Sequence, residues 1–379
     1  MALSKAAPGH RIAGLDGLRA IAALMVFLEH KTALGSLAIG GYGVRLFFVL
    51  SGYLIIGGIV RNFEADGGGK AEQMRRFFVN RAFRILPIYW LTLAGAALLL
   101  AFGVTDAVSW TELAWHSAFA GNIYTGQIVG QWSAALSHLW SLAVEEQFYL
   151  LIAPLLILAG HRWWQHICSA LVVTALLRGI YLVSTHAPAI QVLTDSLTSF
   201  GMIAIGGCLC QLGTKTSRLS DTSVLAVLTL YVASPIMLYP VSGLFPYIAL
   251  TTIPLAAFLI VAVAGQPGSL AVKLLEVAPL KAFGRVSYGF YLYHYWITSD
   301  TLYVVSGGVL DIRSSLDDVQ VPILFLVTLA LSVLSWVAIE KPALVLRSRW
   351  LRAGDLRSRK PEGHHHLELI EPIGRVSVG

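Results

Sequence analysis

The sequence predicts an all-α fold, a bundle of about ten transmembrane helices, and three observations support this prediction. Of the 379 residues, 56% are hydrophobic and only 13% are charged, whereas soluble domains average about 25% charged residues. Apolar runs of roughly 20 residues, the length that crosses a bilayer as a helix, follow one another along the chain. Lys and Arg are concentrated in every second connection between these runs, a distribution typical of polytopic membrane proteins.

Each apolar run is a candidate span. The ten spans lie near residues 15–33, 42–60, 85–103, 141–159, 165–184, 196–213, 222–240, 245–264, 285–305 and 321–340. Residues 1–345 therefore form one transmembrane domain. Residues 346–379 form a basic cytoplasmic tail that we expect to be disordered.

The loop charges also predict the orientation of the bundle. The 61–84 connection carries six Lys or Arg residues, and the 104–140 connection carries none. The alternation continues to the basic tail after Glu340, so both termini are expected in the cytoplasm. This topology accounts for the net charge of +6, and nucleic-acid binding is not needed to explain it.

The first span carries ionisable side chains that a lipid-facing helix would not need. In "GLDGLRAIAALMVFLEHKT" (residues 14–32), Arg19 and His30 are about three helical turns apart and therefore share one face. Ionisable groups within spans are costly and usually face a bundle interior or a cavity. His30 either hydrogen-bonds a neighbouring helix or acts as a general base, because imidazole titrates near neutral pH.

Two later spans carry polar stripes. In "HLWSLAVEEQFYLL", Ser141, Glu145 and Tyr149 follow i, i+4, i+8 spacing and form one stripe on a helix. In "RVSYGFYLYHYW", Tyr288, Tyr291 and His294 lie along one face of the ninth span. These side chains either hydrogen-bond within the bundle or face a substrate. Glu145 has a further explanation, because it lies near the start of its helix, where the helix dipole stabilises an acidic residue.

Three further arginines lie within or next to spans. Arg45 is near the outer end of the second span, in "GVRLFFVLSGYLI", where it can balance an acidic group such as Glu145 or Asp16, or bind an anion. In "RRFFVNRAFRILPIYWLTL", Arg81 and Arg84 lie one turn apart at the cytoplasmic mouth of the third span. The positive-inside rule explains why they are basic. A guanidinium pair also suits phosphate groups.

Taken in order, these stretches resemble the acyltransferase-3 family of integral membrane acyltransferases. The family's motif of an arginine and a histidine separated by ten residues falls on Arg19 and His30, and its paired-arginine motif falls on Arg81 and Arg84. The resemblance covers most of the chain and is carried by residues 14–60, 75–92, 138–152 and 285–296, ending with "EKP" at 340–342.

This resemblance implies an O-acyltransferase that is a multi-pass protein of the bacterial inner membrane. Family members move acyl groups, often acetyl from acetyl-CoA, onto hydroxyls of sugars, glycolipids, polysaccharide precursors or macrolides. The expected partners are acyl-CoA as co-substrate, a carbohydrate or glycolipid acceptor of the cell envelope, and membrane lipid. Neither a tightly bound cofactor nor a metal ion is expected.

The resemblance and the residue chemistry together assign roles to the named side chains. Arg19, Arg81 and Arg84 are expected to bind the donor, with the paired arginines at its phosphates. His30 is expected to take the proton of the acceptor hydroxyl, or to form an acyl-histidine intermediate.

The remaining polar residues are expected to act around this base. Glu145 is expected to orient His30 or to bind the acceptor, and Glu29 is the other candidate for orienting His30. Residues expected to bind substrate are Arg45, Ser141, Tyr149, Tyr291 and His294.

A transporter or flippase of a lipid-linked sugar is the alternative from another functional class. Ten spans with intramembrane charges fit that class too. Transporters often have halves related by a repeat, with broken helices in matching positions. The sequence shows no such repeat, although prolines interrupt the seventh and eighth spans.

Overall fold

The fold comes from a computed structural model, and the structure describes residues 12–32, 37–64, 69–103, 107–133, 135–210, 220–238, 255–260, 262–309, 311–312 and 317–358. All regular structure in these ranges is helical. The helices are α1 (Leu15–Lys31), α2 (Ile39–Glu64), α3 (Lys70–Ala101), α4 (Trp110–Ser117), α5 (Trp140–Ala159), α6 (Trp164–Ser184), α7 (Ala189–Thr194), α8 (Ser196–Leu209), α9 (Asp221–Leu238), α10 (Leu270–Leu275), α11 (Ala278–Tyr293), α12 (Ser299–Val305), α13 (Asp317–Ser335) and α14 (Lys341–Ser358).

Within the described part of the chain, five helical segments are long and apolar enough to cross a membrane: Ile39–Phe63, Lys70–Ala101, Ser137–Ala159, Trp164–Ser184 and Val319–Arg352. Large apolar side chains cover their outer faces, and Leu98, Leu151, Ile180 and Leu334 are each more than half exposed. Apolar exposure on this scale is unusual for a soluble protein and suits contact with lipid. The all-helical membrane fold is therefore confirmed, while the count of ten spans and the side of each terminus stay predictions.

Glycines allow the helices around α1 and α2 to approach closely. A Cβ at Gly284 of α11 would lie 1.9 Å from the carbonyl oxygen of Asp16 in α1. A Cβ at Gly52 of α2 would lie 1.7 Å from the carbonyl oxygen of Ile203 in α8. Small residues at such crossings are typical of helices that pack within membranes.

The contacts between helices also give their relative directions. Helices α1 and α11 run parallel, because Asp16 meets Gly284 near their starts and His30 meets His294 at their ends. Helix α5 runs antiparallel to both, because Ser141 at its start bonds Tyr291 near the end of α11. These are the directions that the predicted alternation requires of the first, fourth and ninth spans.

Two predicted boundaries differ from the structure. Helix α3 begins at Lys70 and not near residue 85, so Arg81 and Arg84 lie about three to four turns inside it. The predicted span 285–305 is broken into α11 and α12. The break has a local cause: the Thr298 hydroxyl accepts a hydrogen bond from the backbone N–H of Thr301 and starts a new helix.

The C-terminal region is more ordered than the sequence suggests. Helix α14 continues to Ser358, so residues 346–358 are helical where a disordered tail was expected. Residues 359–379 lie outside the described part of the chain, as do residues 245–254 of the predicted eighth span.

Candidate functional site

A cavity of about 390 Å³ lies between α1, α2, α3, α5 and α11. This volume falls within the range of about 300–1,000 Å³ that is usual for small-molecule sites. The cavity lining brings together most of the residues that the sequence singles out: Arg19, Arg81, Arg84, Ser141, Glu145, Tyr149 and Tyr291. His30, Arg45 and His294 are not part of this lining.

One end of the cavity is rich in arginine, and we call it the arginine end. It is formed by Arg19, Arg61, Arg81 and Arg84. Two carboxylates also line the cavity, Asp16 and Glu145. Four guanidinium groups against two carboxylates leave an excess of positive charge, which suits an anionic ligand.

The guanidinium of Arg81 is held over the ring of Tyr149, 5.7 Å from the ring centroid. Its Nε is buried and has no hydrogen-bond partner among the described residues. A buried donor without a partner is costly. Because this nitrogen is buried, a ligand in the cavity reaches it only after the Arg81 side chain turns.

A short hydrogen-bonded chain crosses the middle of the cavity. The Tyr149 hydroxyl donates to a carboxylate oxygen of Glu145 over 3.3 Å. The Ser51 hydroxyl lies 2.8 Å from the Tyr149 hydroxyl. Either hydroxyl can donate in this contact.

Tyr291 and Ser141 close the other end of the cavity. The Tyr291 hydroxyl donates to the backbone carbonyl oxygen of His138 over 2.5 Å. The Ser141 hydroxyl lies 2.7 Å from the same Tyr291 oxygen. Both side chains are buried, so they form a packed boundary rather than an open mouth.

Beyond this boundary lie His30 and His294, which we call the histidine pair. Nδ1 of His30 is 2.9 Å from Nε2 of His294, and Nδ1 of His294 is 2.7 Å from the backbone carbonyl oxygen of Tyr291. His294 is only 1% exposed, whereas the His30 side chain is exposed. The Tyr295 ring meets His30 edge-on, with centroids 5.1 Å apart.

A third histidine packs against this pair without bonding to it. His138 stacks on Tyr295 at 4.8 Å between centroids, and its Nε2 is 3.2 Å from the carbonyl oxygen of Leu292. Although three histidines are close, the described residues contain no group of three or more His, Cys, Asp or Glu side chains arranged to hold a metal ion.

The two carboxylates expected to orient His30 make their hydrogen bonds elsewhere in the described structure. The carboxylate of Glu145 bonds Tyr149, whereas the hydrogen bond of His30 goes to His294. Glu29, the other candidate for orienting His30, accepts from the backbone N–H of Gly40 at 2.5 Å and so caps the start of α2. The hydrogen-bond partner of His30 in the described structure is therefore a histidine and not a carboxylate.

Arg45 is buried in α2 and faces Glu29, Tyr42 and Tyr231. The acidic group near it is therefore Glu29, and not Asp16 or Glu145 as the sequence suggested. Because Arg45 does not line the cavity, the structure does not bring it to the other predicted substrate-binding residues.

Tyr288, which the sequence places on one face with Tyr291 and His294, also lines the cavity. Sequence reasoning missed one residue that lines the cavity and one that packs beside the histidine pair. Ser51 is a polar residue in the apolar run "VLSGYLI" and lines the cavity. His138 precedes Ser141 by one turn, and that spacing was the available signal for it.

Comparisons with known proteins identify the family of the chain. The family model of acyltransferase-3, described as an acyltransferase domain, matches residues 12–340. Over 76% of its length the chain is 27% identical to the peptidoglycan O-acetyltransferase OatA of Listeria monocytogenes, and it covers 50% of that protein. Over 74% of its length it is 27% identical to the O-acetyltransferase OatA of Staphylococcus aureus, again covering 50%.

A further relative is YrhL of Bacillus subtilis, provisionally named for the same peptidoglycan activity, to which the chain is 30% identical over 98% of its length. The chain covers 60% of YrhL, so it spans about half or slightly more of the relatives it matches. No solved structure matches the chain. The transporter alternative is not favoured by any of these relatives. Because the family model covers most of the sequence, the chain belongs to the acyltransferase-3 family.

Proposed function

We propose that this protein is a membrane O-acyltransferase that moves an acetyl group from acetyl-CoA to a hydroxyl of a cell-envelope glycan. The observation that carries the proposal is the position of one cavity. It begins at four arginines and ends at Tyr291, whose backbone carbonyl holds the histidine pair. An arginine-rich cavity and the histidine pair thus lie on opposite sides of one boundary, which Tyr291 and Ser141 form.

The donor in this proposal enters by the arginine end from the cytoplasm. Its phosphates bind Arg19, Arg81 and Arg84 through charge-assisted hydrogen bonds, including one to the unpartnered Nε of Arg81. Two smaller cavities adjoin this end. One of about 100 Å³ shares Arg81, and one of about 140 Å³ shares Arg19 and Arg84. They give room for the nucleotide part of the donor, while the thioester points toward Ser141 and Tyr291.

The chemistry then takes place at His30. Its imidazole accepts the proton of the acceptor hydroxyl, and the oxygen attacks the thioester carbonyl. The carbon–sulfur bond breaks, and the thiolate of coenzyme A recovers the proton from His30. An acyl-histidine intermediate with two half-reactions is the other route. Because Tyr291 and Ser141 separate the cavity from His30, either route requires these two side chains to move so that the thioester can reach His30.

The acceptor in this proposal is peptidoglycan or one of its membrane-bound precursors. The support is the peptidoglycan O-acetyltransferase name of the Listeria monocytogenes relative and the exposed side chain of His30. An exposed base at the end of α1 opposite the arginines can meet a glycan hydroxyl that approaches from outside the cytoplasm. The protein would act as a multi-pass protein of the bacterial inner membrane, with its termini in the cytoplasm.

The test combines the whole cell with the purified protein. Mass spectrometry of muropeptides from cells with and without the gene should show the loss of one acetyl group per modified fragment. The full chain in nanodiscs should transfer label from radiolabelled acetyl-CoA to peptidoglycan fragments. If the acetyl group is lost from another envelope glycan, the acceptor assignment is wrong. If no glycan changes and no coenzyme A is released, the proposed function is wrong.

A further inference from the structure

The contact between the two rings of the histidine pair has the geometry of a linear hydrogen bond. The ring centroids of His30 and His294 are 5.1 Å apart and the ring planes differ by 24°, while the nearest nitrogens are 2.9 Å apart. The centroid separation is close to the nitrogen–nitrogen distance plus one ring radius on each side. The two rings therefore lie edge to edge, so an N–H on one ring points at the lone pair of the other.

The direction of this hydrogen bond follows from the other nitrogen of His294. Its Nδ1 lies 2.7 Å from the carbonyl oxygen of Tyr291, and a carbonyl oxygen can only accept. Helix α11 ends at Tyr293, so the carbonyl of Tyr291 is one of the last four, which lack their usual donor within the helix. The His294 side chain supplies that donor, and its proton is therefore on Nδ1.

A neutral imidazole carries only one N–H. With the proton of His294 on Nδ1, its Nε2 is an acceptor, and Nδ1 of His30 must donate to it. The basic groups that face His294 are His30, Lys31 and His138, and no acid is among them. A doubly protonated His294 would thus be a buried charge without a counter-ion, which is strongly disfavoured.

We infer that His294 is the positioning residue of the base, and that it fixes His30 in the tautomer whose Nε2 lone pair is free. The side chain of His30 is exposed, so this lone pair can accept the proton of an incoming hydroxyl. When His30 takes that proton, its Nδ1–H continues to donate to His294. The backbone carbonyl of Tyr291, His294 and His30 thus form a chain that does the work of the carboxylate in a serine-protease triad.

This inference rests on the proposed acyl transfer for its functional meaning, and its geometry can be tested without any activity. The full chain in nanodiscs, labelled with nitrogen-15 in the histidine rings, should show His30 protonated at Nδ1 and unprotonated at Nε2. The His30 signals are identified by their loss in His30→Ala. A proton on Nε2 of His30 in the unmodified protein would overturn the inference, whatever the protein does to acyl-CoA.

A matched pair of variants separates the acceptor role of His294 from its packing. In His294→Gln the amide oxygen can still accept from Nδ1 of His30, whereas His294→Leu has no acceptor, and both lose the imidazole donor to Tyr291. His294→Leu should mix the tautomers of His30 and lower kcat by at least about tenfold, up to the 10²- to 10⁴-fold that a general base contributes. The KM for acetyl-CoA should not change.

His294→Gln should retain the His30 tautomer and most of kcat. His138→Gln is the control for disturbance of the cluster, because His138 packs against His294 but makes its hydrogen bond to Leu292. Equal losses of kcat in His294→Gln, His294→Leu and His138→Gln would show that His294 acts only through packing, and would overturn the inference. An unchanged tautomer in His294→Leu would have the same consequence.

Discussion

The two ends of the site differ in how much of their polar chemistry is already satisfied. At the arginine end, four cations line an open cavity and Nε of Arg81 has no partner among the described residues. At the histidine pair, every ring nitrogen except Nε2 of His30 has a hydrogen-bond partner among the described residues. An incompletely satisfied end suits a ligand that comes and goes, and a satisfied end suits a group that must stay oriented. The comparison assigns binding to the first and proton transfer to the second.

The largest expected effect is on turnover when His30 is removed. His30→Ala should lower kcat by about 10²- to 10⁴-fold, because a general base typically contributes that factor. His166→Ala is the matched control, since His166 is an exposed histidine on α6. The measurement is acetyl transfer by purified protein in nanodiscs, normalised to folded protein. A His30→Ala variant that keeps more than about a tenth of kcat would leave His30 as a structural histidine.

A smaller effect is expected at Glu145, and it tests to which end this carboxylate belongs. In Glu145→Gln the amide oxygen can still accept from Tyr149, while a negative charge beside the arginines is lost. The KM for acetyl-CoA should therefore fall by roughly two- to fivefold, the scale of a partly exposed charge interaction, with kcat little changed. Steady-state kinetics against acetyl-CoA measure both constants. A fall in kcat at constant KM would instead make Glu145 part of the proton-transfer end.

The same comparison shows which parts of the site can be predicted from sequence. The eleven-residue spacing of Arg19 and His30 was enough to predict that they share a face of α1, and the structure extends that face from the cavity to the histidine pair. The position of Arg81 inside α3 was missed. A helix that extends beyond the membrane has a polar start, and that start has the composition of a loop. Local charge patterns cannot distinguish these two cases.

The partner of His30 could not be predicted, for a different reason. His294 is 264 residues away along the chain, and its orientation depends on where α11 ends. That helix ends at Tyr293, and the imidazole of His294 then meets the carbonyl oxygen of Tyr291. A single sequence gives the residue types on each helix face but not which faces meet, so it could not show that the side chain bonded to His30 is a histidine.

The central claim is that the arginine end binds the donor and that the histidine pair transfers the proton. The most direct test is to measure coenzyme A binding by variants of each end. Isothermal titration calorimetry of the full chain in nanodiscs makes this measurement without an acceptor. Arg81→Gln combined with Arg84→Gln should raise the Kd for coenzyme A by at least about tenfold, because hydrogen bonds to charged groups contribute about 1.5–3 kcal/mol each. His30→Ala should bind coenzyme A as the unmodified protein does. So should Arg162→Gln, whose exposed arginine lies over Trp163 away from the cavity. Normal binding by the double arginine variant, or lost binding by His30→Ala, would contradict the account.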